Sequence, residues 1–365
     1  MEISELGEFG LIERLAKDIT PKNATTIKGI GDDCAVLAPS EGKRTVVTTD
    51  LLMEGVHFDL TYVPLRHLGY KAVMVNLSDV FAMNAQPRQI TVSLAISNKF
   101  SVEDIEELYA GMKMACDKWS VDIVGGDTTA SLTGLAISIT AIGEASSEDI
   151  VLRSEAKPTD LICVSGNLGA AYMGLQLLER EKVVYGQQVN DLQKQIKEAQ
   201  AAGDNQKLTT LNSQLSTLSQ PDFSGREYIL ERQLKPEARG DIIGALQKAG
   251  IHPTSMIDIS DGLSSELMHI CKQSQTGCRV YEERLPLDYQ TAAMAEELNL
   301  NVSTCALNGG EDYELLFTVP LTQNDIISSL EDIHVIGYIT EVDKGCVLIT
   351  RDGGEHVLKA QGWKL

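Results

Sequence analysis

The sequence predicts an α/β fold arranged in two domains. Short runs rich in β-branched residues alternate with amphipathic segments, which is the pattern of strands and helices packed in layers. With 365 residues, 43% of them hydrophobic, the chain can fill one large or two medium cores. A strand-like run restarts after the charged stretch "EASSEDIVLRSEAKPTD", so we predict a boundary between residues 1–150 and 151–365.

In the first half, strands and helices are indicated by different signals. β-branched runs predict strands at residues 44–50, 88–97, 121–127 and 135–145. A helix is predicted from Pro64 to about residue 84, because proline is favoured in the first helical turn. A second helix is predicted from about Ser101 to Trp119, since Ser101 is a suitable N-cap and acidic residues follow it.

The second half predicts a strand at residues 161–166 and then a helix from about residue 168. The segment "MIDISDGLSSELMHICKQS" predicts a strand, a turn and a helix, and "GGEDYELLFTVP", "DIHVIGYIT" and "CVLITRDGG" each predict a strand. Residues 187–220 differ because they are rich in Gln, Leu, Lys and Ala, with apolar residues at roughly heptad spacing. We predict an inserted helical hairpin there and interpret it as an exposed decoration.

The charge and the hydrophobic pattern argue against several classes of function. A formal net charge of −21 disfavours nucleic acid or an anionic membrane as a partner, because like charges repel. The sequence has no run of about 18 apolar residues, and its acidic start "MEISELGEFG" does not resemble a signal peptide. We therefore expect a cytoplasmic protein without a membrane span.

The cysteines follow neither the spacing of a disulfide framework nor that of a zinc motif. They are odd in number and scattered, without a C-x-x-C pair. The seven are Cys34, Cys116, Cys163, Cys271, Cys278, Cys305 and Cys346. We expect them to be reduced residues of the core.

Acidic residues recur at predicted turns, at strand ends and on one predicted helix. They are Asp32, Asp33, Asp50, Asp79, Asp127, Asp258, Asp261, Glu311 and Asp312. Any one of them is equally well explained by a turn or a helix cap. Together they indicate a shared site, because buried carboxylates need a counter-charge and residues 29–37 contain no Lys or Arg. On the first helix, Asn76 and Asp79 lie three apart in an otherwise apolar segment.

Magnesium is the counter-ion that this set of oxygen ligands favours. Calcium is the competing cation, but the sequence has no EF-hand spacing. Glycine pairs precede two of the acids, at residues 125–126 and 309–310, and their amides can approach a phosphate closely. The sequence contains no P-loop, Rossmann fingerprint, nucleophile elbow or protein-kinase motif. We therefore predict a metal and phosphate site of another design.

Seven segments in order resemble the thiamine-monophosphate kinases of the aminoimidazole-ribonucleotide-synthetase-like ATP-binding superfamily. They are "GIGDDCAVL", "TTDLLMEGVHF", "NLSDVFAMNAQP", "IVGGDTT", "RSEAKPTD", "DISDGLSSEL" and "GGEDYELLFTV". The chain departs from the family pattern in the 187–220 insertion, in "MNA" at residues 83–85 and in its final "GWKL".

The resemblance implies a two-domain synthetase-like fold and a homodimer. The N-terminal mixed sheet would join that of a second copy in a barrel, and the C-terminal domain would be an α/β sandwich. Dimerisation would also cover the exposed edges of the long strands in the first half. The implied reaction transfers the γ-phosphoryl group of ATP to thiamine monophosphate with several Mg²⁺ ions, as the last step of thiamine diphosphate biosynthesis.

The resemblance also assigns roles to individual residues. The metal ligands are Asp32 (as an alternate ligand), Asp33, Thr48, Thr49, Asp50, Asp79, Asp127, Asp258 and Asp261. Of these, Asp33, Asp50, Asp79, Asp127 and Asp258 form the catalytic set. ATP is contacted by Tyr109, Gly126, Asp127, Arg153 and Ser260. Thiamine monophosphate is contacted by His57, Glu311 and Trp363, since a carboxylate and an aromatic face both suit a cationic thiazolium.

Two other functions remain open from the sequence alone. One is a superfamily enzyme with a different acceptor, although a selenophosphate synthetase would have a reactive cysteine nearer its start than Cys34. A hydrogenase-maturation protein would have a cysteine at its end, where this chain has "QGWKL". The other is a non-catalytic protein that binds divalent cations, which explains the carboxylates but neither the glycine pairs nor Arg153.

Overall fold

The computed structural model describes residues 3–30, 34–216, 218 and 221–360, with the backbone alone for residues 3–9. The first half contains one four-stranded sheet and three helices. Its elements are α1 (Ile3–Ala16), β1 (Thr26–Lys28), β2 (Val36–Leu37), β3 (Lys43–Met53), α2 (Leu65–Ala82), β4 (Gln86–Ile96), α3 (Val102–Trp119), β5 (Asp122–Ala130) and β6 (Leu135–Ser146). The pair β1 and β2 forms a small separate ladder.

The second half contains a seven-stranded sheet with helices around it. Its elements are β7 (Leu161–Ser165), α4 (Ala170–Ala202), α5 (Asn205–Ser216), α6 (Glu227–Leu234), α7 (Gly240–Lys248), β8 (Ser255–Asp258), α8 (Leu263–Ser274), β9 (Thr276–Tyr281), α9 (Tyr289–Glu297), α10 (Val302–Asn308), β10 (Leu315–Val319), α11 (Asn324–Ile327), β11 (Ile333–Glu341), β12 (Cys346–Ile349) and β13 (Glu355–Val357). The α/β prediction is confirmed.

The first sheet has one buried and one exposed face. Its strand order is β3-β6-β4-β5, in which β6 is antiparallel to β3 and β4, and β5 is parallel to β4. Val92 and Ile139 are buried on the inner face, whereas Val47 and Leu51 on the outer face are 64% and 53% exposed. This alternation is expected of a sheet that packs on helices with only one side.

The second sheet is built around antiparallel pairs. Its order is β13-β12-β9-β11-β7-β10-β8, and only β9 and β12 run parallel to each other. Every residue of β7, β8 and β10 is buried. Other elements therefore cover both faces of the sheet near β8, among them α2 from the first half of the chain and α8 from the second.

Helix α2 lies at the centre of the molecule. It packs against the first sheet and against α3, α6, α7 and β8, and 14 of its residues are buried. A Cβ atom at Gly69 would lie 1.9 Å from the carbonyl oxygen of Leu108, and one at Gly111 would lie 1.8 Å from that of Arg66. Glycine at both positions therefore allows α2 and α3 to cross in close contact.

One apolar core extends through both halves of the chain. It includes Phe81 and Ile139 from the first half and Ile243 and Phe317 from the second. The predicted boundary after residue 150 falls between β6 and β7, where no sheet crosses it. Since both halves contribute to one core, the core does not separate them into two domains, and that division stays a prediction.

The expected hairpin consists of the distal part of α4 together with α5. The two helices pack against each other across a turn at Gly203, whose φ is +69°. Helix α4 begins well before residue 187, because its first turns pack against α6, where a Cβ at Gly174 would lie 2.1 Å from the Ile229 carbonyl oxygen. Residues 217, 219 and 220 lie outside the described residues.

Five of the cysteines are buried and all seven are free thiols. The prediction that all seven belong to the core is wrong for Cys34, which is exposed, whereas Cys346 is half-buried and packs against the core of the second half. Cys346 lies on β12, next to the terminal strand β13. Within the described part of the chain, no helix is both long and apolar enough to cross a membrane.

Replacing residues 187–220 by a short Gly-Ser linker is expected to leave the fold intact. Within the described part of residues 187–220, only Ala199 and Leu211 are buried, so the replacement removes little of the core. The free energy of unfolding should change by no more than about 1 kcal/mol. Circular dichroism and a denaturant titration would measure this, and a chain that no longer unfolds cooperatively would show that the hairpin is part of the core.

Candidate active site

A cavity of about 700 Å³ opens where α2, β3, α4 and two loops of the second half meet. Its volume is in the range of small-molecule sites. Acidic residues line much of it, namely Asp50, Asp59, Asp79, Glu179, Asp258, Asp261 and Glu311. His57 and Ser260 lie in the same wall. The fold thus brings together residues that the sequence places far apart.

Asp50 reaches the cavity from β3. Thr48 and Asp50 lie on the inner face of the strand, whereas the Thr49 hydroxyl lies on the outer face and accepts from Thr140 at 3.2 Å. The backbone N–H of Asp50 donates to Asn76 Oδ1 at 3.1 Å. Burial and the charge of Asp79 raise the pKa of Asp50 from 3.8 to about 6.

Asp79 lies on α2, three residues after Asn76 in the otherwise apolar segment noted in the sequence. The Thr48 hydroxyl donates to its Oδ2 at 2.5 Å, and the Asn76 amide donates to the Ala72 carbonyl oxygen at 3.0 Å. Burial raises the pKa of Asp79, and the Thr48 hydrogen bond and the charge of Arg153 oppose this rise. Arg153 lies beside Asp79 and Thr48 in a side pocket of about 200 Å³.

Asp258 lies at the end of β8, against the same turn of α2. It is 3% exposed, and its Oδ2 accepts from the Ser78 hydroxyl at 2.7 Å. Burial raises the pKa of Asp258, and the neighbouring Asp79 charge adds to that rise. Ser78 and Asp79 therefore connect the central helix to the strand that carries the third carboxylate.

The carboxylates of Asp50, Asp79 and Asp258 are suitable ligands for divalent cations. Their ionisation leaves an excess of negative charge that Arg153 offsets only in part. We call Asp50, Asp79, Asp258, Asp261 and Glu311 the carboxylate wall. No three of these residues have carboxylate oxygens that all lie within 4.8 Å of one another. One ion would therefore bind at most two of them and take its other ligands from water or phosphate, which is how Mg²⁺ is usually held.

Lysine side chains supply positive charge at this cavity that the sequence analysis missed. Lys71 on α2 is 5% exposed, and its Nζ lies 2.9 Å from Glu311 Oε1 and donates to the Gln233 carbonyl oxygen at 3.1 Å. Lys182 on α4 pairs with Asp59 and lies 5.9 Å from the ring centre of Tyr62. A lysine inside the apolar run "YKAVMV" was the available signal, because a buried lysine needs a partner.

The loop before β10 has an unusual backbone. Glu311 and Tyr313 have φ values of +58° and +50°, which residues other than glycine rarely adopt. The Glu311 N–H donates to the Ser260 carbonyl oxygen at 2.7 Å, and the Tyr313 N–H donates to that of Ile259 at 2.8 Å. These bonds hold Glu311 at the cavity in a conformation that is often found at functional sites.

The next two acids of this loop support the scaffold instead. Asp312 is buried and accepts from the Gly169 N–H at 2.8 Å, at the start of α4. Glu314 accepts from the Ser165 hydroxyl at 2.5 Å and is paired with Arg232 at 2.8 Å and with Arg239. These buried pairs fix the ends of β7 and α4 beside the cavity.

Asp261 is held by the first turn of α8. Its N–H donates to Glu266 Oε1 at 3.0 Å. Burial raises the pKa of Glu266 to about 8, and the charges of Asp261 and Asp258 contribute to that rise. The start of α8 thus carries one further acidic group near the carboxylate wall.

Other predicted site residues do not line this cavity. Asp127 is on β5, three strands from β3, and its register with Ser93 puts it on the outer face. Gly126 is next to it, and Tyr109 lies on α3. Their roles stay predictions. Asp32, Asp33 and Trp363 lie outside the described residues.

Comparisons with known proteins agree with the sequence motifs. Residues 31–145 match the family model "AIR synthase related protein, N-terminal domain". The chain is 30% identical to the thiamine-monophosphate kinase of Bacillus subtilis (strain 168), covering 98% of this chain and 99% of that one. It is 34% identical to the thiamine-monophosphate kinase of Aquifex aeolicus (strain VF5), covering 88% of each.

Solved structures give the same picture. "AaThiL complexed with AMPPCP and TMP" matches with a TM-score of 0.71 and 31% identity, over 100% of this chain and 98% of that one. The thiamine-monophosphate kinase from Stenotrophomonas maltophilia K279a matches with a TM-score of 0.74 and 29% identity, over 96% and 98%. A hydrogenase maturation protein, HypE in complex with ATP, has the same fold at 20% identity, with a TM-score of 0.69 over 96% and 95%.

The raised pKa of Asp50 predicts that Asp50→Asn becomes more stable relative to the wild type as pH rises. The folded-state pKa of about 6 exceeds the ordinary 3.8, so the wild type loses stability as pH increases through 6, and the amide does not. Denaturant titrations with a chelator present should show the difference growing by about 1 kcal/mol between pH 5 and pH 8. A difference that shrinks with pH would contradict the assigned burial of this charge.

Proposed function

The chain belongs to the thiamine-monophosphate kinase family, and from this we propose that it transfers the γ-phosphoryl group of ATP to thiamine monophosphate. The products are thiamine diphosphate and ADP, so the reaction completes thiamine diphosphate biosynthesis. The observation that carries the proposal is the convergence of Asp50, Asp79 and Asp258 on one cavity, with Arg153 beside them.

The main obstacle to this reaction is the repulsion between two phosphate groups. The acceptor oxygen belongs to a phosphate that is already ionised near neutral pH, so no strong general base is needed. The protein has to hold two anions close together and in line. A wall of carboxylates can do this only with cations between it and the phosphates.

Mg²⁺ is the cation that we propose for this wall. Asp50, Asp79 and Asp258 would hold more than one ion between them, with at most two of these carboxylates on each, and Asp261 would be a ligand of a further ion. Bound Mg²⁺ supplies charge neutralisation at the phosphate oxygens. We retain Asp33, Thr48, Thr49 and Asp127 as further ligands and Asp32 as an alternate one.

Arg153 and Ser260 would bind the ATP phosphates directly. Arg153 offers a forked donor next to Asp79, and its position in the side pocket suits the ATP phosphates. Ser260 offers a hydroxyl from the loop after β8. We retain Gly126, Asp127 and Tyr109 as further ATP contacts.

The thiamine moiety would occupy the other part of the cavity. Glu311 offers a carboxylate to the cationic thiazolium, and Lys71 holds that carboxylate in place. His57 lies in the same wall, and its Nδ1 accepts from the Met53 N–H at 3.0 Å, which fixes the imidazole ring. We retain Trp363 as a stacking residue.

We propose a homodimer in the cytoplasm, where ATP is available. The outer face of the first sheet exposes Val47, Leu51 and Met53 by 64%, 53% and 43%. Covering these apolar side chains with a second copy would remove them from water. Asp127 lies on this same face, so a second copy would also change its surroundings.

Asp50→Asn and Asp79→Asn should each lower turnover by at least about a hundredfold, because a metal ligand is lost where the phosphate charge is greatest. The assay measures thiamine diphosphate and ADP formation with Mg²⁺, and omission of Mg²⁺ should abolish the reaction. Asp325→Asn, an exposed aspartate on α11, is the matched control. Unchanged turnover in either active-site variant would contradict the metal assignment, provided that circular dichroism shows a native fold.

A panel of acceptors tests the substrate. ADP release should be fast with thiamine monophosphate and negligible with thiamine or an aminoimidazole precursor, because only a phosphate acceptor suits a site built to bring two phosphates together. Faster turnover of another acceptor would assign the chain a different substrate. Protection by ATP in a thermal shift assay without turnover of any acceptor would indicate a binding protein instead.

A further inference from the structure

Three cysteine thiols meet on the second sheet, away from the cavity. They are Cys271 on α8, Cys278 on β9 and Cys346 on β12, and their sulfur atoms all lie within 4.8 Å of one another. Cys271 and Cys278 are buried and Cys346 is half-buried. Across the described residues, this is the one group of three metal-binding side chains with that spacing.

The sheet pairing explains how distant cysteines converge. β9 and β12 are the parallel pair of the sheet, and their register places Cys278 directly beside Cys346. Paired residues on neighbouring strands direct their side chains to the same face. Helix α8 packs on β9 and β12 and contributes Cys271 from its last turns. The expectation that these cysteines form no metal cluster rested on local spacing and missed this contact.

A buried hydroxyl accompanies the thiols. Thr276 lies two residues before Cys278, so its side chain lies on the same face of β9. Thr276 is 8% exposed, and its Oγ1 has no hydrogen-bond partner in the described chain. Buried polar atoms normally have a partner, and the group that the Thr276 hydroxyl lies against is the Cys271 thiol of the triad.

We propose that Cys271, Cys278 and Cys346 form a thiolate site for a soft metal ion of the Zn²⁺ class. Three thiolates are the ligand type that selects such ions over Mg²⁺. With Zn–S bonds of about 2.3 Å, tetrahedral sulfurs lie roughly 3.8 Å apart, so shifts of about 1 Å would close the triad around one ion. The fourth ligand is the Thr276 hydroxyl or a water molecule. Each thiol gives its proton to solvent as the metal binds.

The site is structural rather than catalytic. In the order of the sheet, β9 is four strands from β8, which carries Asp258. The metal would fasten the end of α8 to β9 and β12, and the start of the same helix holds Asp261 through Glu266. Metal binding should therefore raise the melting temperature of the protein, and kinase turnover with Mg²⁺ should need no zinc.

Co²⁺ titration of the full-length reduced protein tests the proposal. Thiol-reduced, chelator-treated protein is titrated in excess Mg²⁺, which saturates the oxygen-ligand sites, and the absorption of thiolate–Co²⁺ charge transfer is recorded. We expect one equivalent of Co²⁺ per chain, displaced by Zn²⁺. Cys346→Ser should weaken binding by at least a hundredfold, whereas Cys305→Ser, at a buried cysteine outside the triad, should leave it unchanged.

Two results would overturn the proposal. One is the absence of thiolate–Co²⁺ absorption in a folded, fully reduced protein. This result overturns the proposal even if air oxidation afterwards links two of the three cysteines in a disulfide. The other is absorption of equal strength in Cys346→Ser. Because Cys346 is half-buried, serine there should be tolerated, and circular dichroism of the variant checks its fold.

Discussion

The burial of one helix between two sheets is the constraint on which the rest of this structure depends. Helix α2 has almost no exposed face, yet it carries Lys71, Asn76 and Asp79. Charged and polar groups inside a protein need partners. The partners come from three elements: Asn76 and Asp79 bind β3, Ser78 binds Asp258 at the end of β8, and Lys71 binds Glu311 in the loop before β10. The hydrogen bonds and the ion pair that α2 needs for its own polar groups therefore hold the other elements of the site in place.

The cost of this arrangement is a concentration of like charge. Asp50, Asp79 and Asp258 all have raised pKa values because burial removes water, and the charge of Asp79 adds to the rise at Asp50 and Asp258. A protein selected for stability alone would avoid this, which supports the proposal that these carboxylates bind cations and phosphate. The left-handed backbone at Glu311 and Tyr313 is a second local cost, and the buried Glu314 and its arginines stabilise the surrounding scaffold.

Helix α8 connects the two groups of side chains for which we propose metal binding. Its first turn lies beside Asp261 in the carboxylate wall, and its last turns carry Cys271 in the thiol triad. Oxygen ligands at one end and sulfur ligands at the other select different ions. We therefore propose that the oxygen ligands at the start of this helix serve the reaction, while the thiols at its end fix the same helix to the sheet.

Local signals in the sequence, namely alternation and turn residues, were enough to predict the α/β class, the main strands and helices, and the acids of the carboxylate wall. They could not separate Glu311, which lines the cavity, from Asp312, which caps α4, because the positive φ values of this loop decide which way each side chain points. They also could not find Lys71 as the partner of Glu311, or the meeting of Cys278 with Cys346. Those contacts depend on helix packing and strand register, which bring together residues too far apart in the chain for any local pattern to record.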